Sequence, residues 1–242
     1  MHADPIEINP ELDLNSLAAR YAAERFVQIA NFFTPGTADR IDRALRQTLP
    51  WRLIYVDPGQ GVVQLSEADL KRIGQAGLQQ IMRGILHNAR RNVGYFYKGY
   101  HLTRADSQAA IDVPELKAVA EFLNGPEFLA FGARIIAESG LTQTDAQATL
   151  FQPGHFLTRH IDDGANQERR AAYTLSFTRQ WQTDWGGQLQ FIDPQTTDVT
   201  RAWIPRWNLL TLFDGRQVHA VSPISQFAGE GRYSIVGWLR ND

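Results

Sequence analysis

The hydrophobic period of this chain changes near Gln147. Upstream, apolar residues recur mostly at helical spacing. Downstream, short alternating apolar runs follow one another with Gly, Pro, Asn and Asp between them, which is the pattern of strands joined by turns. Candidate strands fall at 147–151, 156–162, 171–178, 188–192, 208–213, 219–221 and 233–239. So many short strands in one stretch point to a sandwich, barrel or jelly roll. The expected class is α+β with a mainly β core.

The upstream part reads as support for that core. Residues 25–33 resemble a short strand, and Thr34-Pro35 then supplies an N-cap and a proline at the first helical position. Ile41, Leu45 and Leu49 recur at helical spacing until Pro50. A second helix is expected from Ser66, with Asp69 as the acid of a capping box and Leu70, Ile73, Ile81, Met82 and Ile85 on one stripe. A third runs from Pro114 to Leu123 and breaks at Asn124-Gly125-Pro126. There is no internal repeat, low-complexity tract or long linker, so one domain over 1–242 is expected, with 1–146 as support and 147–242 as the β core.

Bulk properties remove several function classes. Lys and Arg number 24 against 26 Asp and Glu, and this near balance argues against a nucleic-acid footprint or an anionic membrane surface. No apolar run approaches the roughly 18 residues needed to span a bilayer, and the N-terminus lacks a basic start with an apolar stretch, so a cytoplasmic location is expected. With no cysteine, any metal must be held by His, Asp, Glu or backbone oxygen.

His160-Ile161-Asp162 ends an alternating run. Positions i and i+2 of a strand share a face, so an imidazole and a carboxylate project side by side. His219, in Gln217-Val218-His219-Ala220-Val221 after Asp214-Gly215, is the candidate third ligand. Two His and one carboxylate would leave positions open on an octahedral metal. Arg232-Tyr233-Ser234 follows the glycine-rich turn 228–231. A hairpin there would fold Arg232 back alongside the His219 strand, and a guanidinium suits bidentate capture of a carboxylate.

These features, together with Trp185-Gly186-Gly187-Gln188-Leu189-Gln190-Phe191, the run Asn208 to Phe213 before Asp214-Gly215-Arg216, and Arg232-Tyr233-Ser234-Ile235-Val236-Gly237-Trp238, resemble the Fe(II) and 2-oxoglutarate-dependent dioxygenases. The prolyl-4-hydroxylase-like branch is the most similar, in particular the bacterial relatives of the ribosomal-protein and elongation-factor prolyl hydroxylases. The resemblance is clear over about 147–242. It implies a double-stranded β-helix, or jelly roll, buttressed by N-terminal helices. It further implies Fe(II) on His160, Asp162 and His219, and 2-oxoglutarate chelating the metal with its distal carboxylate on Arg232 and a hydrogen bond from Ser234. O2 is then consumed to hydroxylate an unactivated C–H, with ascorbate a candidate accessory. A prolyl residue of a protein or peptide is the implied target. A free amino acid under the same chemistry, and a non-catalytic β-barrel that binds a partner, are the alternatives.

The chain departs from that pattern in one respect. Relatives carry tyrosines on the strands before and after the first ligand, both reaching toward 2-oxoglutarate. Phe151 and Ser176 stand at the nearest positions here, and Tyr173 falls on the opposite strand face from Ser176. Among neighbouring residues, Trp238 and Phe191 read as core, Trp181 and Trp185 as loop aromatics near the site, Asp163 and His155 as turn or surface residues, and Gly186-Gly187 as a bulge or close approach. Residues 57–63 look loop-like and are a candidate lid.

Overall fold

The computed structural model describes residues 4–47, 49–103, 113–162, 164 and 166–242. In chain order, α1 (Leu14–Glu24), β1 (Phe26–Ala30) and α2 (Pro35–Gln47) precede a hairpin of β2 (Arg52–Asp57) and β3 (Gly61–Leu65). Next come α3 (Glu67–Ala89), β4 (Tyr95–His101), α4 (Pro114–Leu123) and α5 (Pro126–Ile136). The strands β5 (Gln143–Thr144), β6 (Gln147–Phe151), β7 (Phe156–His160), β8 (Arg169–Phe177), β9 (Leu189–Ile192), β10 (Val199–Trp203), β11 (Trp207–Phe213), β12 (His219–Val221) and β13 (Arg232–Arg240) complete the chain.

Helix starts follow local chemistry. Asp13 accepts hydrogen bonds from the Asn15 and Ser16 amides at the start of α1, and α4 and α5 both open on proline. Ser66 and Asp69 form the expected capping box of α3. The single apolar stripe expected for α3 is interrupted, because Gly74 adopts φ 68° and ψ 179° and breaks the helix into two segments. Of that stripe only Ile85 is buried.

The strands form one mostly antiparallel sheet in the order β1-β11-β8-β13-β6-β4-β7-β12-β9-β10, with β2 and β3 continuing from β4 and β5 pairing with β13. The sheet curls. Phe26 of β1, Ala172 of β8 and Phe213 of β11 share a cluster with Leu189 and Phe191 of β9, although several strands separate them along the ladder. This is the jelly-roll double-stranded β-helix. The outer face of β6, β8, β11 and β13 packs on α1, α2, α4 and α5 through the main core, which includes Ile41, Leu45, Leu116, Phe128, Ile135, Leu175, Leu210, Ile235 and Leu239. No helix among the described residues is long and apolar enough to cross a membrane.

The hairpin expected to lay Arg232 beside His219 does not form. Both edges of β12 are taken, by β7 and by β9, so no edge remains for β13, which runs between β8 and β6 instead. Residues 57–63, read as a loop, are a closed hairpin tip in which Asp57 Oδ1 accepts from the Gly59 and Gln60 amides. Asp163 lies outside the described residues. His155 sits after the turn but is 5% exposed, edge-on to Phe96, so it is a buried residue rather than a surface one.

Candidate active site

Three side chains that are distant in sequence converge on the inner face of β7 and β12. His160 is paired directly opposite His219, and their rings stand 4.2 Å apart at 53°. Asp162 follows β7, and its amide donates to the Gly215 carbonyl (2.7 Å), so the 214–217 turn supports the carboxylate from behind. A Cβ at Gly215 would lie 2.8 Å from the Asp162 carbonyl oxygen, which explains the glycine. His219 Nε2 is 3.1 Å from one Asp162 carboxylate oxygen and His160 Nε2 is 3.5 Å from the other. One ligand atom from each of the three residues lies within 4.8 Å of the others, a spacing that could hold one metal ion.

The protonation states suit a metal. His219 Nδ1 donates to the Gln217 carbonyl at 2.8 Å, and His160 Nδ1 to the Thr158 carbonyl at 3.0 Å. Each ring therefore turns its Nε2 lone pair to the common centre. Burial, reinforced by the neighbouring His219 ring, holds the His160 pKa below its ordinary value and keeps that lone pair free. For Asp162, burial alone would raise the pKa. The neighbouring imidazoles of His219 and His160 outweigh it and hold the carboxyl below the usual range.

Arg232 comes from β13, which runs between β8 and β6. On β13 the pleat divides the strand. Tyr233, Ile235 and Leu239 join the outer core, whereas Arg232 and Ser234 face inward. Arg232 is 4% exposed and Ser234 0%. Arg232 Nε and Ser234 Oγ are buried without a hydrogen-bond partner. Burial pushes the Arg232 pKa down to about 10, still far above neutrality, so the guanidinium remains a buried cation. Its neighbours are the face of Phe151, 5.3 Å away, and Gly187, where an added Cβ would come within 3.5 Å of Arg232 Cδ. An unpaired buried charge is costly unless an anion is supplied. The donor set therefore fits a carboxylate ligand on this side and a divalent metal on the other.

Supporting contacts fix the approaches. Glu230, two residues before Arg232, accepts from Arg46 (2.6 Å) and from the Gln180 amide (3.1 Å), and Asp42 of α2 binds both Arg46 and Arg179. Gly186 and Gly187 have φ of +70° and +63°. A Cβ at Gly186 would meet the Pro223 carbonyl at 2.0 Å, so this is the expected close approach. Asp214 takes three bonds from Arg216 and one from Arg25, and the first of these partners brings its pKa down to about 2. Trp238 and Phe191 pack in the inner apolar cluster, and Trp181 and Trp185 meet edge-on at 5.3 Å.

Sequence reasoning missed Tyr97. It lies on β4, which was not foreseen as a strand, and its ring stacks on Phe151 at 5.0 Å and 15°. The alternation Tyr95, Tyr97, Gly99 was the available signal. Tyr173 points outward as expected, donating to the Asp145 carbonyl.

Residues 146–240 match the model of the 2OG-Fe(II) oxygenase superfamily, and this segment contains the three-ligand group, Arg232 and Ser234. No curated protein matches the chain. Among solved structures, a Pseudomonas putida prolyl-4-hydroxylase is 22% identical with a TM-score of 0.56, covering 95% of this chain and 99% of its own. A Burkholderia pseudomallei oxidoreductase of the 2OG-Fe(II) oxygenase family is 13% identical with a TM-score of 0.62, covering 99% and 97%. A prolyl hydroxylase from Trichoplax adhaerens, in complex with a hypoxia inducible factor oxygen degradation domain peptide fragment, is 16% identical with a TM-score of 0.60, covering 94% and 89%. These likenesses establish the fold over nearly the whole chain. The segment 146–240 is thus similar to the 2OG-Fe(II) oxygenase superfamily. That match implies Fe(II), 2-oxoglutarate and O2 as the cofactor and cosubstrates of an oxygenase, and the His160, Asp162 and His219 group could hold the iron.

Proposed function

We propose that this protein hydroxylates an unactivated C–H of a prolyl residue in a protein or peptide, with His160, Asp162 and His219 holding Fe(II) and Arg232, aided by Ser234, holding the distal carboxylate of 2-oxoglutarate. In this reading residues 1–242 act as one domain in the cytoplasm, with 1–146 supporting a catalytic core over 147–242. The observation that carries it is the buried Arg232 guanidinium, whose Nε has no hydrogen-bond partner, in the same curled sheet as the His and Asp group.

When bound, Fe(II) and 2-oxoglutarate supply the oxygen activation that no side chain can. The protein's own residues do the rest. The Nδ1 contacts of His160 and His219 fix both rings, Gly215 fixes Asp162, and the Arg46, Asp42 and Glu230 network fixes the approach to Arg232. Phe151, Val221 and Ile224 form an apolar wall with Tyr97, Leu157 and Trp181, which excludes water from that side. Two relatives of the same fold are named as prolyl hydroxylases and one is bound to a peptide, which supports the prolyl and peptide assignment. The exposed apolar side chain of Ile161, between two of the ligands, also suits contact with a polypeptide.

The test is an anaerobic titration with Fe(II) and 2-oxoglutarate, watching the visible metal-to-ligand charge-transfer band, followed by aerobic turnover on proline-containing peptides with mass detection. A band lost in His219→Ala and weakened in Arg232→Ala, with a product one oxygen heavier, is expected. No band in folded protein would overturn the reading, and a band with turnover only on a free amino acid would replace the peptide with a small molecule.

A further inference from the structure

The exposed apolar side chains of this fold are not spread evenly. Six large hydrophobic residues are exposed among the described residues, and three of them, Leu86, Val93 and Ile161, lie on one rim beside the metal-binding group. Strand pairing puts them there. β4 runs antiparallel to β7, with Tyr95 opposite Leu157. The contact runs on through Thr158, whose amide and hydroxyl both donate to the Gly94 carbonyl (3.0 and 2.7 Å). The turn that leads from α3 into β4 therefore lies alongside the end of β7, where His160 stands.

The turn has a built shape. The Arg91 and Val93 amides both donate to the Asn88 carbonyl, and the Asn92 amide donates to that of Ala89. Asn92 and Gly94 take φ of 57° and 122°, values that favour these residue types. This closes α3 and leaves Arg90, Arg91 and Val93 exposed. Leu86 precedes Arg90 by one helical turn and shares its face. On β7, Leu157 pairs with Val221 and His160 with His219 across a register shift, so three steps on one strand match two on the other. This bulge keeps Leu157 and His160 on the inner side and leaves Arg159 and Ile161 exposed.

Three cations thus border an exposed apolar strip. None of Arg90, Arg91 and Arg159 has an ion-pair partner among the described residues, although the chain as a whole has a net charge of -2. Arg90 and Arg91 suit the negative end of α3, but Arg159 lies on a strand and answers to no helix dipole. Asp57, at the end of the neighbouring strand β2, turns one carboxylate oxygen onto the Gly59 and Gln60 amides. We propose that this rim docks an acidic segment of the polypeptide substrate that also carries an apolar residue, and holds it next to the residue that reaches the metal-binding group. The carboxylates meet Arg90, Arg91 and Arg159, and the apolar side chain lies across Leu86, Val93 and Ile161. This rests on the polypeptide reading given above and goes beyond it by assigning the charge and polarity of the flanking sequence. Complementary rim charge of this kind sets partner choice and encounter rate more than raw affinity.

The experiment follows the fluorescence anisotropy of two labelled proline-containing peptides on the full-length protein, loaded with Fe(II) and 2-oxoglutarate without oxygen. One peptide carries glutamates and a leucine beside the proline, and the other has glutamines in place of the glutamates. Wild type is expected to bind the acidic peptide about tenfold more tightly, as two or three exposed charge pairs would give, with the preference shrinking as salt rises. Arg90→Glu/Arg91→Glu should abolish the preference and leave the charge-transfer band unchanged. Arg20→Glu/Arg206→Glu, which alters the net charge equally at exposed arginines on α1 and just before β11, should keep it. Val93→Ser should weaken both peptides alike, about threefold. Equal wild-type binding of the two peptides, binding of neither, or a preference that survives in Arg90→Glu/Arg91→Glu overturns the inference. Arginine-dependent capture of a single-stranded oligonucleotide in place of the peptide does the same. The charge-transfer band reports separately whether the cofactor reading stands. Should the melting curve of Arg90→Glu/Arg91→Glu show impaired folding, Arg159→Gln carries the test, with the preference expected to fall about threefold, and an unchanged preference there would equally overturn it.

Discussion

The two faces of β13 differ by one residue step and by almost everything else. Outward, Tyr233, Ile235 and Leu239 fill the core against the helices, and Ile235 and Leu239 are fully buried in apolar company. Inward, Arg232 and Ser234 are as deeply buried but carry polar atoms without partners. One face is optimised for folding. The other is incomplete until a ligand arrives, and the pleat lets a single strand do both. Stability and chemistry are thus separable here by the parity of the residue number.

Substitutions should respect that parity. The largest effect belongs to the metal group: His219→Ala is expected to weaken Fe(II) binding at least about a hundredfold, since one of three ligands is lost, while the thermal melt of the metal-free protein changes little. Equilibrium metal titration checks it, and a large drop in the metal-free melt would blur the separation. Next is the outer face. Ile235→Ala should cost about 3 kcal/mol of unfolding free energy, from lost burial and a cavity, yet leave Fe(II) affinity within a factor of about two. Denaturant unfolding and the same titration read both.

A pH prediction contrasts two buried ionisable groups. His155 is pushed down to about 4 by burial and stays neutral where Arg232 stays charged. The unfolded chain takes up a proton on this histidine near its ordinary value of about 6.5, which the folded chain resists until pH is near 4. The stability contribution is therefore complete above about pH 6.5 and declines as pH falls toward 4, by up to about 3 kcal/mol. In His155→Gln the slope of stability against pH across that window should flatten, and an unchanged slope would assign the acid sensitivity elsewhere.

Smaller still, Arg232→Met should stabilise the metal-free protein by about 1 kcal/mol, because an uncompensated buried cation is replaced by an apolar chain of similar length, while 2-oxoglutarate binding is lost. A destabilised Arg232→Met would mean that the guanidinium is already satisfied without ligand and would remove the contrast between the faces.

Much of this was legible in the residues. The alternation Phe156, Thr158, His160, Asp162 put two ligands on one face, and the capping box at Ser66 and Asp69 and the prolines at 35 and 114 marked helix starts. The hairpin of β2 and β3, the strand β4 and the helices α1 and α5 were not read. Their apolar residues are interrupted or short, and β4 looks strand-like only once its partners β2, β6 and β7 are known. The kink at Gly74 was hidden because one glycine within a periodic run is often tolerated.

What the sequence alone determined is local: which residues alternate, where helices begin, and which side chains have metal and carboxylate chemistry. These depend on backbone periodicity and on side-chain identity, and both are properties of neighbours in the chain. Only the tertiary structure decided that Arg232 reaches the centre from between β8 and β6 instead of beside β12, and that Tyr97 joins the wall. Both follow from strand pairing, where an edge is available only if no other strand has taken it, and that competition is settled by the whole sheet at once.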